Sequence, residues 1–352
     1  MKIGILANVP LDPNQGSGYV VCGYAKALRE LGHTVVTRTS YPDKALPRGK
    51  GTAFRTRTGM LKSFALTKKS NVLLLWGGEA GWLVPKLNRM KSRGVIIACS
   101  NGLETHNALE QGANSTELAK FRAGACFRDL DGLMMVSKFD EDFAMAHGYQ
   151  SEERRVAISN PLPSDFINRA QPIKDGRIVL FVGNWIRRKG SSTMIEMIRQ
   201  TSEGANPPHF RLIGAGTAQA QEELNLPNVH AIDPGLKRSD LLKQYEEASI
   251  LIMPSLYESF GMVATEAMAC GCAVIATKTG FPYELVDQQE VLHVPFNDTR
   301  ALSNALTRLT SDEELRLRLS SAGHHRVQNL TWENAGQEMD KFIHKILELG
   351  RR

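Results

Sequence analysis

Short runs of consecutive apolar residues recur along this chain, and segments with helical periodicity separate them. A run that is apolar at every position, such as Val72-Leu-Leu-Leu-Trp76 or Val95-Ile-Ile-Ala-Cys99, has no polar face to give to water. It must be covered on both sides, which is the condition of a strand in a parallel sheet flanked by helices. Lys2–Leu6, Thr34–Thr37, Asn71–Trp76, Gly94–Cys99, Gly132–Ser137 and Arg154–Ser159 read as strands. Tyr19–Leu31 reads as an amphipathic helix, because Val20, Tyr24, Ala27, Leu28 and Leu31 fall near helical spacing. Asn160-Pro-Leu-Pro163 breaks the pattern, and polar residues follow to about Gly176. The alternation then restarts, with strands expected at Arg177–Gly183, Phe210–Gly214, Val229–Ile232, Ser249–Pro254, Ala273–Thr277 and Val291–Val294.

This organisation predicts an α/β fold of two doubly wound, Rossmann-like domains, residues 1–162 and 177–330, joined by a linker at 163–176. Trp332, Ala335, Met339, Phe342, Ile343 and Ile346 put an apolar stripe on a final helix over Thr331–Leu349. The tail at 331–352 is expected to pack back on the first domain. Ligands of such sheets bind outside the strand carboxyl ends, so a cleft between the two sheets is the expected site.

Apolar residues make up 42% of the chain and charged residues 23%, which excludes a disordered chain. No apolar run approaches the roughly 18 residues of a membrane-spanning helix. The start, MKIGILANVPLDP, reads as a strand rather than a leader. Cys22, Cys99, Cys126, Cys270 and Cys272 are odd in number, and reduced thiols in the cytoplasm are expected. Charge is uneven. Residues 44–93 hold twelve basic residues opposed only by Glu79, with Asp43 just before them, on a chain of net charge +6. Such a field attracts anions, and a peripheral position on the inner face of an anionic membrane is one expectation. The segment offers mainly Phe54 and Phe64 for base stacking, so no specific nucleic-acid partner is expected.

The most informative stretch is PSLYESFGMVATEAMACG, Pro254 to Gly271. A strand enters it, and a helix begins near Met262. That turn aims backbone N–H groups of residues 261–263 outward from a helix N-terminus, a site suited to a diphosphate. Glu266 follows a little over one turn later, where its carboxylate can accept from both hydroxyls of a ribose. Glu258 reaches a different part of the same ligand.

With its two glutamates separated by seven residues, this stretch resembles the signature of the retaining glycosyltransferases of family 4 (glycosyl transferases group 1), which have the GT-B fold. Val136-Ser137, Val156–Asn160, Val182-Gly183 with Lys189-Gly190, Leu212–Gly216, the Gly235 turn and Gly280–Glu284 match the family in order, so the resemblance covers nearly the whole chain. It implies transfer of a sugar from a UDP-, GDP- or ADP-sugar to a glycan, lipid-linked or small-molecule acceptor. The first domain would bind the acceptor and the second the donor. Glu266 would bind the ribose, and Glu258 the donor sugar. Ser259, Phe260, Gly261, Met262 and Val263 would surround the diphosphate, with Asn184 and Gly214 beside it. Lys189 and Arg188 would meet the leaving charge, so no cofactor and no metal are required. Gly16, Ser17 and Gly18 would approach the phosphates or the acceptor.

Two departures stand out. Asn184 occupies the slot of a family arginine, for which Arg188 is the preferred substitute over Arg187. Asn101 occupies the slot of a family histidine that contacts the transferred sugar, and His106 is the nearest histidine. Asp129-Leu-Asp131 has the spacing of a metal motif but sits in a helix-like stretch. Competing readings are a sugar-nucleotide hydrolase or epimerase of the same fold, and a non-catalytic basic binding protein. Replacing Lys62, Lys68 and Lys69 by Gln is expected to lower sedimentation with anionic vesicles; adsorption at the wild-type level would exclude the basic segment as a membrane contact.

Overall fold

A computed structural model describes residues 1–12, 16–39, 66, 69–77, 94–114, 130–169, 174, 176–232 and 235–350. Of the twelve basic residues noted between 44 and 93, Lys69 alone is among them, on the surface; the reading of that segment lies outside the described residues. The chain divides into two units, Met1–Pro161 with Trp332–Arg352, and Leu162–Thr331.

The first unit holds strands β1 (Lys2–Ala7), β2 (Thr34–Thr39), β3 (Val72–Gly77), β4 (Val95–Ser100), β5 (Gly132–Met135) and β6 (Arg155–Ala157). They form one parallel sheet in the order β2-β1-β3-β4-β5-β6, with Ile3 opposite both Val35 and Val72. Helices α1 (Gly16–Glu30), α2 (Glu104–Glu110) and α3 (Lys138–Ala146) belong to it. The unbroken apolar runs are explained by the two cores. Leu74 and Trp76 join Ile5, Ile97 and Met134 beneath α1. Leu73 and Leu75 join Leu6, Ile96 and Leu133 beneath Leu103 and Ala144. β5 is shorter than expected because Ser137 is already the cap of α3, its hydroxyl accepting from the Asp140 N–H.

The C-terminal helix (Trp332–Leu349) completes the first core, burying Ala335, Met339, Phe342, Ile343 and Ile346. Two glycines let it approach α1. A Cβ on Gly23 would lie 2.0 Å from the Trp332 ring, and one on Gly336 would lie 2.9 Å from the Ala27 Cβ. Trp332 Nε1 donates to the Tyr19 hydroxyl at 2.8 Å, and its ring stands edge-on to Tyr24 at 5.4 Å. His33 Nε2 hydrogen-bonds Asp340 Oδ1 at 2.8 Å.

The second unit holds β7 (Ile178–Val182), β8 (His209–Ile213), β9 (Val229–Ile232), β10 (Ile250–Met253), β11 (Ala273–Ala276) and β12 (Leu292–His293). Its helices are α4 (Ser191–Ser202), α5 (Thr217–Leu224), α6 (Arg238–Glu247), α7 (Met262–Ala269), α8 (Thr299–Ser311) and α9 (Glu313–Val327). The parallel order β12-β11-β10-β7-β8-β9 makes β7 and β10 neighbours. The chain runs outward one way through β8 and β9, crosses back to β10, and runs out the other way. The switch point therefore lies between the carboxyl ends of β7 and β10, where this topology opens a crevice. Part of the segment read as a linker packs on this unit. Phe166 is buried edge-on to Tyr245, and Lys174 Nζ donates to the Tyr245 and Ala248 carbonyls.

Gly23→Ala is expected to cost about 1–3 kcal/mol by overpacking against Trp332, read by urea unfolding. Adding Trp332→Ala removes the clash, so the double variant is expected to lose less than the two single losses combined.

Candidate active site

Two loops meet over the switch point of the second unit. Residues 183–190 follow β7 and residues 254–261 follow β10. Leu256 N–H donates to the Arg188 carbonyl at 2.8 Å, and Arg188 Nη1 donates to the Tyr257 carbonyl at 2.8 Å. Gly190 has φ +77°, and a Cβ there would lie 2.4 Å from the Pro254 carbonyl oxygen. Only glycine permits both the left-handed backbone and that approach. The Lys189 ammonium consequently pairs with Glu258 Oε1, both side chains largely shielded from solvent. Ser255, itself buried, donates to the same oxygen at 2.7 Å. No hydrogen bond to Glu258 Oε2 occurs among the described residues, so that oxygen keeps its acceptor capacity. The backbone beneath is fixed from a third loop. Glu258 N–H donates to Thr279 Oγ1 at 2.7 Å, and Phe281 N–H donates to the Phe260 carbonyl at 2.6 Å.

The helix N-termini around this crevice differ from those elsewhere in the unit. The helices following β7, β8 and β10 start behind Gly190, Gly216 and Gly261 respectively, all with left-handed φ. None has a capping side chain, and none has an acidic residue in its first turn. In contrast, Asp298 and Asp312 cap α8 and α9, and α6 carries Asp240 in its first turn. The partial positive charge of helix ends is thus met by carboxylates away from the crevice but not around it.

Glu266 lies in the second turn of α7, half-buried. The Tyr245 hydroxyl donates to its Oε2 at 2.9 Å. Burial pushes the carboxyl up to about 7, against the Tyr245 hydrogen bond and the Arg238 charge, which pull it down. Asp165 adds a smaller upward push.

The other expected site residues fall as follows. Gly214 has φ +145°, and a Cβ there would lie 1.9 Å from the Gly183 carbonyl oxygen, so chain crossing alone demands glycine. Asn184 is exposed beside that crossing. Ser259, Met262 and Val263 are half-buried at the head of α7, whereas the Phe260 ring is buried against Phe281 at 5.4 Å. In the first unit, Gly16 opens α1 with φ +48°, Ser17 is half-buried, and Gly18 is packed so that a Cβ would lie 2.5 Å from the Pro10 and Asp12 carbonyl oxygens. Asn101 follows β4, its Oδ1 accepting from Trp76 Nε1 at 2.8 Å; its Nδ2 is buried with no hydrogen bond among the described residues. His106 does not stand in for a sugar-contacting histidine. It is buried in α2, bonded through Nδ1 to Asp140 at 2.8 Å and stacked on Phe143 at 4.0 Å. Asp131 is structural, its Oδ2 accepting from Ile96 N–H at 2.7 Å, and Asp129 lies outside the described residues. Cys22, Cys99, Cys270 and Cys272 are free thiols, with Cys126 outside the described residues. Among the described residues no His, Cys, Asp and Glu cluster could hold a metal, and no helix is long and apolar enough to cross a membrane. Ser255, Thr279 and Tyr245 had no place in the expected site. Their hydroxyls carry no sequence signal of their own, although Ser255 lies inside the informative stretch.

Two units, each built on a Rossmann-like parallel sheet of six strands, are the architecture of the GT-B class. Residues 164–326 match the model of the family described as glycosyl transferases group 1. A D-inositol 3-phosphate glycosyltransferase of Streptomyces bingchenggensis is 34% identical over 55% of this chain and 43% of its own. Sucrose-phosphate synthase from Thermosynechococcus elongatus superposes with a TM-score of 0.78 at 22% identity over 99% of both chains. Anabaena HepE, solved in complex with UDP, superposes with a TM-score of 0.71 at 16% identity over 98% of this chain and 100% of that one. Several curated relatives are matched over only about two fifths of their own length. Over residues 164–326 the chain is similar to the glycosyl transferases group 1 family.

A carboxyl whose native pKa is raised from the ordinary carboxylate range to about 7 destabilises the fold as pH rises through that window, because the unfolded chain releases the proton first. Glu266→Gln removes this penalty. It is expected to stabilise the chain at pH 8, by at most about 3 kcal/mol, and to change little at pH 4. Urea midpoints at the two pH values check the sign.

Proposed function

We propose that the chain transfers a sugar from a nucleoside diphosphate sugar to an acceptor with retention of anomeric configuration. The observation that carries this reading is the Lys189–Glu258 pair at the switch point, beside the uncapped N-terminus of α7. The amides at Gly261–Val263 and the Lys189 ammonium hold the diphosphate. As the glycosidic bond breaks, negative charge grows on the leaving phosphate, and both are already directed at it, so little reorganisation is needed. Glu258 Oε2 accepts from a hydroxyl of the donor sugar, and Glu266 accepts from the ribose diol. No second carboxylate is placed for a covalent intermediate in this reading; the leaving phosphate takes the acceptor proton on the same face. Arg188 acts by locking the two loops through Tyr257 rather than by meeting the phosphate.

The base is left among uridine, guanosine and adenosine; the UDP bound to HepE favours uridine. The first unit takes the acceptor, with Gly16, Ser17, Gly18 and Asn101 at its strand ends. Residues 44–93 suit a phosphorylated, lipid-linked or otherwise anionic acceptor, since they concentrate positive charge.

Calorimetry with UDP, GDP and ADP tests the donor site. Glu266→Ala is expected to abolish detectable nucleotide binding, and binding at the wild-type level would refute its role. Lys189→Ala is expected to lower turnover of the donor by about 10²–10³ with a smaller loss in nucleotide affinity.

A further inference from the structure

The protein already occupies one oxygen of Glu266. Tyr245 is fully buried on α6, its ring edge-on to Phe166 at 6.0 Å, and its hydroxyl donates to Glu266 Oε2 at 2.9 Å. The backbone at Tyr245 is pinned as well. Its carbonyl accepts from Lys174 Nζ at 2.9 Å and from the Cys272 thiol at 3.3 Å. The hydroxyl therefore cannot follow the carboxylate; the carboxylate is held to the hydroxyl. Tyr245 and Arg238 act on Glu266 from α6, and Asp165 acts from the turn at Ser164–Phe166. Arg238 Nε pairs with Asp165 at 3.1 Å, so these two charges largely offset one another at Glu266. The neutral phenol is the direct donor.

We infer that Tyr245 is a positioning residue for donor recognition: its hydroxyl tethers Glu266 Oε2 and leaves Oε1 to the ligand. This rests on the assignment of Glu266 to the ribose. An ionised carboxylate only accepts, so both diol hydroxyls can donate to it; a protonated one spends an oxygen as a donor. A hydrogen bond to the charged form favours that form. Burial pushes Glu266 up to about 7, and the phenol's hydrogen bond is the largest influence against it. Without it the carboxyl stays protonated to higher pH.

Tyr245→Phe keeps the ring and removes only the hydroxyl. The probe is whichever of UDP, GDP and ADP most raises the Tm of the full chain; if none does, the donor reading itself fails. Calorimetry from pH 6 to 9 is expected to show wild-type affinity weakening below about pH 7, and the variant weakening about one pH unit higher. At pH 7 the variant is expected to bind about tenfold more weakly, recovering to within about threefold of wild type at pH 9. A wild-type profile in Tyr245→Phe overturns the inference, and so does an equal loss at every pH, which a displaced helix alone would cause. Should the variant fail to fold, Tyr245→Met, which also lacks the hydroxyl and keeps an apolar side chain, is read by the same pH profile. A weakening shifted to higher pH supports the inference, and a wild-type profile overturns it. Glu266→Ala separates the two levels. Its binding like wild type sinks the donor reading, whereas its loss of binding beside an unchanged Tyr245→Phe sinks only the role of Tyr245.

Discussion

The contact on which the second unit's site depends is the approach of the Gly190 turn to the Pro254 carbonyl. Parallel strand order makes β7 and β10 neighbours, but neighbouring strands alone do not bring their loops together. A side chain at position 190 would hold the turn away from Pro254, and Lys189 would no longer reach Glu258. The reciprocal Arg188–Tyr257 and Leu256–Arg188 bonds then act as a two-point clamp. Backbone geometry thus comes first, and the ion pair is its consequence.

Around that clamp, several features lower local stability. Three helix N-termini lack the acidic caps found elsewhere in the unit. A glutamate is held where burial disfavours its charge. These costs are offset by a core in which Phe181, Phe210, Leu212, Ile250, Ile252 and Ile275 are all buried beneath α4, α8 and α9. Separating a rigid apolar sheet from a polar, incompletely satisfied edge is a general way to hold a site open to its substrate.

The sheet architecture was legible because its signals are local. An apolar run such as VLLLW cannot be left half-solvated, and the stripe on the last helix required an apolar partner wherever it docked. The placement of Glu258 on a turn and Glu266 on the helix after it was legible for the same reason: one continuous stretch contains the strand end, the turn and the helix start. His106 is near Asn101 in the chain, but that proximity says nothing about side-chain direction; α2 turns it toward Asp140 and Phe143. Tyr245 was missed because a tyrosine on the apolar face of a helix reads as core, and by its ring it is core. Only its hydroxyl reaches Glu266.

The amino-acid sequence by itself determined the succession of strands and helices, the restart after Pro163, and the kinds of groups present in the Pro254–Gly271 stretch, since each follows from periodicity, turn chemistry or short spacing. The tertiary structure alone decided that Ser255 and Lys189 share one oxygen of Glu258, that Tyr245 takes one of Glu266, and that the tail returns to α1 through Gly23 and Gly336. These pairings join residues far apart in the chain or depend on the direction of a single bond, and no local preference encodes which of a carboxylate's two oxygens the fold will use.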